Sequence, residues 1–256
     1  MGALDIVLLP CLADNYCVLL HDPDSGETAA IDAPSGAPIK AALAERGWRL
    51  NHLFITHHHG DHTGGIDELK AFYGPTVTGP EAEADRIPGL TRIVTAKSEL
   101  EFAGHPIQVL ETPGHTLGHV TYYFPKDGLV FTGDTLFSLG SGKIFEGDPQ
   151  MMWNSVSKIA ALPGDTIVYC GHEYTLNNAR FALTVEPENE ALKKRVKEVE
   201  ALRAAGQPTL PTTIALEQAT NPFLRPQSRA IQARLGMLGA PAWEIFARVR
   251  QLKNKG

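Results

Sequence analysis

The segment Thr56-His57-His58-His59-Gly60-Asp61-His62 packs four histidines and an aspartate into seven residues. Imidazole nitrogen and carboxylate oxygen are donors that zinc, iron and manganese accept, so the chemistry this cluster suggests is metal binding. In an extended segment, side chains two apart point the same way. His57 and His59 can therefore reach one ion while His58 faces outward as a spacer. Gly60 lets the chain turn, so that Asp61 and His62 can face a second ion. A surface histidine run is the plain alternative, and three other segments weigh against it. His115 sits in TPGHT, Asp134 in TGD and His172 in CGHE, and each follows an apolar run directly.

Those runs are the elements that must position the donors. LFIT (53–56), IQVLET (107–112), LVFT (129–132) and TIVYC (166–170) are rich in β-branched and aromatic residues and bounded by Gly and Pro, which predicts buried strands. If the strand ends share one rim, five histidines and two aspartates meet where α/β sheets commonly carry their sites. The N-terminal MGALDIVLLPCLADNYCVLL reads as two strands, and VLLHD (18–22) with TAAID (28–32) as a hairpin. Helices are expected at 38–47, 65–74 and 149–164. Beyond residue 173 the strand pattern fades. Helical spacing recurs at 188–206, 226–238 and 241–253, while 207–226, with four prolines, reads as irregular connection. The expectation is an α/β domain over 1–173 and a helical domain over 174–256.

Composition narrows the functional classes. A chain of 256 residues with 43% hydrophobic and 20% charged side chains is globular, so disordered, collagenous and coiled-coil classes are excluded. The net charge of −6 argues against a nucleic-acid partner, which needs clustered positive charge. Residues 1–173 hold 10 basic and 22 acidic side chains, a net −12, and residues 174–256 hold 13 and 7, a net +6. The end of the chain, FARVRQLKNKG, has four cations and no acid. It reads either as a solvated helix end or as a small anion-binding patch. No run approaches the ~18 apolar residues of a membrane span. Cys11, Cys17 and Cys170 have no disulfide spacing and fit a reducing, cytoplasmic setting. Cys170 reads as a buried structural thiol, His119 as packing or support, and His21, His52 and His105 as surface or loop residues.

THHHGDH, TPGHTLGH, FTGDTLF and GHEYTLNN resemble the metallo-β-lactamase superfamily, and GHEYT, GSGKIFEG and NPFLR resemble its glyoxalase II (hydroxyacylglutathione hydrolase) branch. The resemblance implies an α/β fold, an αββα sandwich of two mixed sheets, followed by a smaller all-helical C-terminal domain. It implies that His57, His59 and His115 hold one divalent ion, that Asp61, His62 and His172 hold another, and that Asp134 bridges them. The ions would be zinc, with iron or manganese as alternatives. The implied activity is hydrolysis of S-D-lactoylglutathione and related thioesters to glutathione and D-lactate by a metal-bridged hydroxide, the second step of methylglyoxal detoxification. Asp61 or Asp134 could orient that hydroxide, and no separate catalytic side chain is required. Lys143, Phe145, Tyr174, Arg250 and Lys253 match glutathione-contacting positions, although some family members carry tyrosine where this chain has Phe145. A cytoplasmic monomer with no membrane or nucleic-acid partner is expected. A persulfide dioxygenase or lactonase-type relative is the alternative. The dioxygenase, with one iron, has no use for the second-ion histidine that His172 supplies.

Overall fold

Each of the four apolar runs before a candidate ligand is a strand: Leu50–Phe54, His105–Glu111, Leu129–Phe131 and Ile167–Tyr169. They lie in a computed structural model that describes residues 2–255 and divides into two compact units. One comprises 2–111 with 117–133, the other 112–116 with 134–255.

The first unit contains two sheets. Asp5–Cys11 and Asn15–His21 form an antiparallel hairpin with Cys11 opposite Asn15, and Asn15–His21 continues antiparallel with Thr28–Ile31. Leu50–Phe54, Thr76–Pro80 and Arg92–Val94 then add in parallel. Parallel neighbours need crossovers, and the helices Gly36–Arg46 and Ile66–Tyr73 supply the first two. The second sheet includes the antiparallel meander Leu100–Phe102, His105–Glu111, Val120–Phe124 and Leu129–Phe131. Successive strand residues face opposite ways, so Leu50–Phe54 serves two cores. Leu53 packs with Ile39, Leu43, Ile66 and Leu69 of the helices. Phe54 faces Phe102 and Tyr122 of the meander, with ring centroids 6.5 and 5.5 Å away. The Tyr122 hydroxyl, fully buried, donates to the Ile55 carbonyl at 2.9 Å.

The second unit is mainly helical. It contains the short hairpin Leu136–Phe137 with Gly140–Ser141, the pair Ile167–Tyr169 with Thr212–Thr213, and helices Pro149–Ala160, Thr175–Val185, Glu190–Ala204, Ile214–Thr220, Arg229–Leu235 and Ala242–Lys253. Met152 and Val156 pack with Phe223, Phe246 and Val249, and Leu192, Val196 and Val199 pack with Ala179 and Ala182. Helix starts follow capping chemistry: the side chains of Asp148, Asn189 and Ser228 accept from the amides of Met151, Leu192 and Ile231.

Two stretches differ from the sequence expectation. The connection 207–226 contains the helix Ile214–Thr220, because Pro211 and Pro222 fall outside it and Thr213 caps it by accepting from the Leu216 amide. The helix Thr175–Val185 has no counterpart in the sequence reading, since Asn177 and Asn178 in its first turn have poor helix propensity. Phe246 has no exposed surface and touches Trp153 and Phe223, with centroids 5.9 and 5.7 Å away. Phe246→Ala is expected to destabilise this unit by about 3–5 kcal/mol, measured as a lowered urea midpoint in tryptophan fluorescence. An unchanged midpoint would show that the ring carries no packing energy.

Candidate metal centre

In the first unit the donors leave the strand Leu50–Phe54 on the loop 56–59 and enter a helical turn at Gly60–Thr63. His57 Nε2 and His59 Nδ1 are 3.2 Å apart, close to the ~3.3 Å between two nitrogens on one tetrahedral ion. The His57 and His62 rings are 4.2 Å apart, and ligand atoms of His57 and His62, and of Asp61 and His62, fall within 4.8 Å of each other. Asn15 donates from Nδ2 to the Asp61 carbonyl and to its Oδ2 at 3.0 and 3.1 Å, tying the N-terminal hairpin to the loop.

The neighbours of these imidazoles decide which nitrogen is presented. Asp32 accepts from the Thr56 amide at 2.8 Å and from the Thr56 hydroxyl at 2.9 Å. The hydroxyl's one proton is thus committed, so at its 3.0 Å contact with His57 Nδ1 the imidazole is the donor. His62 Nδ1 lies 2.8 Å from Asp32 Oδ2, which as a carboxylate only accepts. Both rings therefore carry their proton on Nδ1 and present the Nε2 lone pair, the arrangement of ligating histidines whose other nitrogen donates to a fixed acceptor. Asp32 is a residue that the sequence reading misses. Its signal is there, because it ends the apolar run TAAI as the other donors end theirs.

Glycine is required beside this array. Gly133 has φ +47°, and a Cβ there would lie 2.6 Å from His119 Nε2 and 2.7 Å from Thr56 Oγ1. His119 is buried with its ring 4.9 Å from His57, so it packs on the donor array. His58 does not face solvent as expected: its side chain is largely buried, and Glu83 accepts from both its amide and its Nδ1, at 2.6 and 2.8 Å. His105 is a correction: it is buried, opens a strand and sits 2.8 Å from Asp127 Oδ1. His21 stacks on Trp48 and His52 on Phe54, both partly buried.

The second unit holds the other three donors. His115 Nε2 and His172 Nε2 lie 3.4 and 3.5 Å from the same oxygen, Oδ2 of Asp134. A carboxylate oxygen nearly equidistant from two imidazoles suits a shared donor. His115 Nδ1 donates to the Lys143 carbonyl at 2.8 Å, which again leaves Nε2 as the presented nitrogen. His172 stacks on Tyr174, with centroids 4.5 Å apart and planes at 9°. The structure thus groups His57, His59, Asp61 and His62 in one unit and His115, Asp134 and His172 in the other. The donor chemistry in each fits divalent metal.

A cavity of about 300 Å³ in the second unit is lined by Lys143, Tyr174, Asn177, Arg250 and Lys253 among others. Phe145 is absent from its wall; its ring is exposed, 5.2 Å from His115, with the Lys143 ammonium 4.9 Å from its centroid. Arg250 is no solvated helix end, being only 8% exposed. It donates to the Ser141 carbonyl at 2.7 Å and to Asn254 Oδ1 at 3.0 Å. Burial pulls its guanidinium down to about 10. Burial, and then the charge of Arg250, pull the Lys253 ammonium down to about 8, while it donates to Asn177 Oδ1 at 2.7 Å. The cysteines are buried, and burial pushes the Cys170 thiol up to about 12, which suits a structural role rather than a nucleophile.

Residues 15–172 match the family profile described as the metallo-beta-lactamase superfamily. The crystal structure of ETHE1 from Myxococcus xanthus superposes over all of both chains, with a TM-score of 0.67 and 25% identity. That of BLEG-1 B3 metallo-beta-lactamase covers 86% of this chain and all of its own, with a TM-score of 0.66 and 22% identity. The fold is that of the metallo-β-lactamases, and together with the His/Asp groups it marks a divalent-metal protein. Residues 173–256 match the profile described as hydroxyacylglutathione hydrolase C-terminus. A hydroxyacylglutathione hydrolase from Brucella ovis is 54% identical over 251 residues, 98% of each chain. The chain belongs to the hydroxyacylglutathione hydrolase family.

A ligand histidine that loses its fixed acceptor weakens metal affinity by about 10–100-fold. Asp32→Asn is expected to show a loss of that order in metal retained against a competing chelator. Unchanged retention would mean that Asp32 does not set the donor geometry of His57 and His62.

Proposed function

We propose that this protein hydrolyses S-D-lactoylglutathione and related 2-hydroxyacylglutathione thioesters to glutathione and D-lactate, and that its seven donors form one binuclear centre. His57, His59 and His115 would hold one ion, Asp61, His62 and His172 the other, with Asp134 shared. Bound there, divalent ions supply Lewis acidity toward the thioester carbonyl and lower the pKa of water toward neutrality. In this reading the ions are zinc, with iron or manganese chemically admissible. The metal-binding domain spans 1–173, and the helical domain 174–256 contributes to substrate binding. The protein works as a cytoplasmic monomer; among the described residues no helix is long and apolar enough to cross a membrane.

The observation that carries the substrate assignment is the cationic cavity. Glutathione bears two carboxylates, and Lys143, Arg250 and Lys253 line one pocket beside the Tyr174 ring. Cations that are partly desolvated bind carboxylates through short, charge-assisted hydrogen bonds. Lys143 also connects the two functions, since its carbonyl fixes the His115 tautomer and the residue lines the cavity. The leaving group is a thiolate whose thiol has a pKa of about 8.5, so it departs without a protein acid.

Hydrolysis of S-D-lactoylglutathione is expected to exceed that of S-acetylcysteamine and to vanish with a chelator. Equal rates would remove the glutathione assignment, and chelator-resistant turnover would remove the metal. Lys253 also sets a pH dependence. It is charged below about 8 and neutral above, so KM is expected to rise between pH 7 and 9. Lys253→Arg should flatten that rise, and a flat wild-type profile would show that the ammonium does not meet substrate.

A further inference from the structure

The NPFLR turn is not in the wall of the cavity, yet it holds two of the parts that are. The chain from Phe137 to Ser141 leads from the Asp134 region to Lys143. Asn221 directs its side-chain amide at the carbonyls of Phe137 and Gly140, at 3.1 and 3.0 Å, and at Glu217 Oε2, at 3.0 Å. Glu217, with no exposed surface, accepts from the Leu139 amide and from the Thr212 hydroxyl, both at 2.7 Å. Leu139 has φ +58°, a left-handed conformation that a leucine keeps only when its surroundings impose it. The Asn221 side chain is itself locked, its Oδ1 accepting from the Phe223 amide at 3.0 Å.

The same turn seats the arginine. The Phe223 ring lies under the Arg250 guanidinium, 5.1 Å from its centre, while that guanidinium donates to the Ser141 carbonyl at the end of the gripped segment. Arg225 closes the turn onto Glu186 through two bonds, at 2.7 and 2.9 Å. One short motif therefore fixes the backbone that carries Lys143 and the face on which Arg250 rests.

We propose that Asn221 and Phe223 are positioning residues for substrate binding: Asn221 fixes the Phe137–Ser141 segment so that Lys143 and the Ser141 carbonyl are in place, and Phe223 seats Arg250. This rests on the reading of the cavity as the glutathione site. Neither residue lines the cavity, so both act through others. Burial pushes the Glu217 carboxyl up, and the hydrogen bonds from Leu139, Thr212 and Asn221 offset part of that rise.

The test separates positioning from general stability by a swap. Asn221→Asp removes the donor facing the Phe137 and Gly140 carbonyls and sets a second carboxylate beside Glu217. Adding Glu217→Gln restores the charge count: its oxygen can take the place of Oε2 and still accept from the Leu139 amide, while its NH2 faces the Thr212 hydroxyl, which can accept. It does not restore the donor to the two carbonyls. With S-D-lactoylglutathione, Asn221→Asp is expected to raise KM about tenfold or more while kcat changes less than about threefold. The double variant, relieved of the like charges, is expected to regain most of the lost melting temperature and keep the raised KM. Phe223→Leu, which keeps an apolar side chain without the ring face, is expected to raise KM by about threefold. Recovery of KM together with melting temperature, or an unchanged KM in all three variants, overturns the proposal. Should Asn221→Asp fail to fold, the wild type still decides: the Leu139 amide is expected to exchange about 100-fold more slowly than exposed loop amides, and exchange at the open-loop rate overturns the grip. A wild type that does not favour the glutathione thioester over S-acetylcysteamine overturns both this proposal and the reading beneath it, and is seen before any variant is compared.

Discussion

A neutral imidazole donates from one nitrogen and accepts at the other, so a histidine is a usable ligand only when something fixes which is which. In this protein that constraint rests chiefly on Asp32. Its carboxylate takes the Thr56 amide, the Thr56 hydroxyl and His62 Nδ1, and through Thr56 it also sets His57. One side chain at the end of Thr28–Ile31 thereby orients two rings on the loop that follows Leu50–Phe54. The parallel pairing of those two strands is what puts Asp32 beside Thr56. Asp32 reaches them from a left-handed backbone conformation, φ +56°, which aspartate tolerates better than most residues. His115 is fixed differently, by a backbone carbonyl, so its tautomer depends on the path of the chain at Lys143 rather than on a side chain.

The cavity obeys a different constraint. Taking a cation out of water disfavours its charged form, and both Arg250 and Lys253 are pulled down for that reason. Among the described residues such cations are held ready by neutral acceptors, the Ser141 carbonyl and the Asn177 and Asn254 amides, and not by acids. An acidic partner would hold them more firmly and would compete with an arriving carboxylate. Neutral partners position the donors and leave the charge uncompensated, which is the state that favours an anion. The positive balance of residues 174–256 against the negative balance of 1–173 has its local expression here.

The donors are legible in sequence because their signal is local: an apolar run, then a histidine or aspartate at once. That rule locates all four strand ends, and the helices at Gly36–Arg46 and Ala242–Lys253 follow from proline, glycine and apolar spacing. What cannot be read are relations between distant segments. Nothing in FARVRQLKNKG shows that Arg250 lies on the Phe223 ring and under the Ser141 carbonyl, so a solvated helix end is as good a reading. His105 looks like a loop residue because Asp127, the partner that accompanies its burial, lies 22 residues away. The prolines of 207–226 conceal Ile214–Thr220 because only position, not count, decides whether a proline breaks a helix. The assembly of the second unit is equally hidden. Pro149–Ala160 packs through Met152 and Val156 on Phe246 and Val249, a pairing of segments far apart along the chain.

These two constraints differ in how widely they are shared. The fold extends to a structure with 22% identity, and a fold alone leaves the substrate open. The cavity wall draws on the segment 173–256, which matches a profile of one family. A superfamily member can change substrate by altering that segment without disturbing Asp32, Thr56 or the rings they hold. It cannot do so with complete freedom, because Lys143 serves both sides. Its carbonyl is the acceptor for His115 and the same residue lines the cavity, so a shift of the loop to suit a new substrate would also turn a donor histidine. The packing of Asn221 and Glu217 behind that loop is then the expected consequence of having one stretch of backbone answer to two sets of geometry.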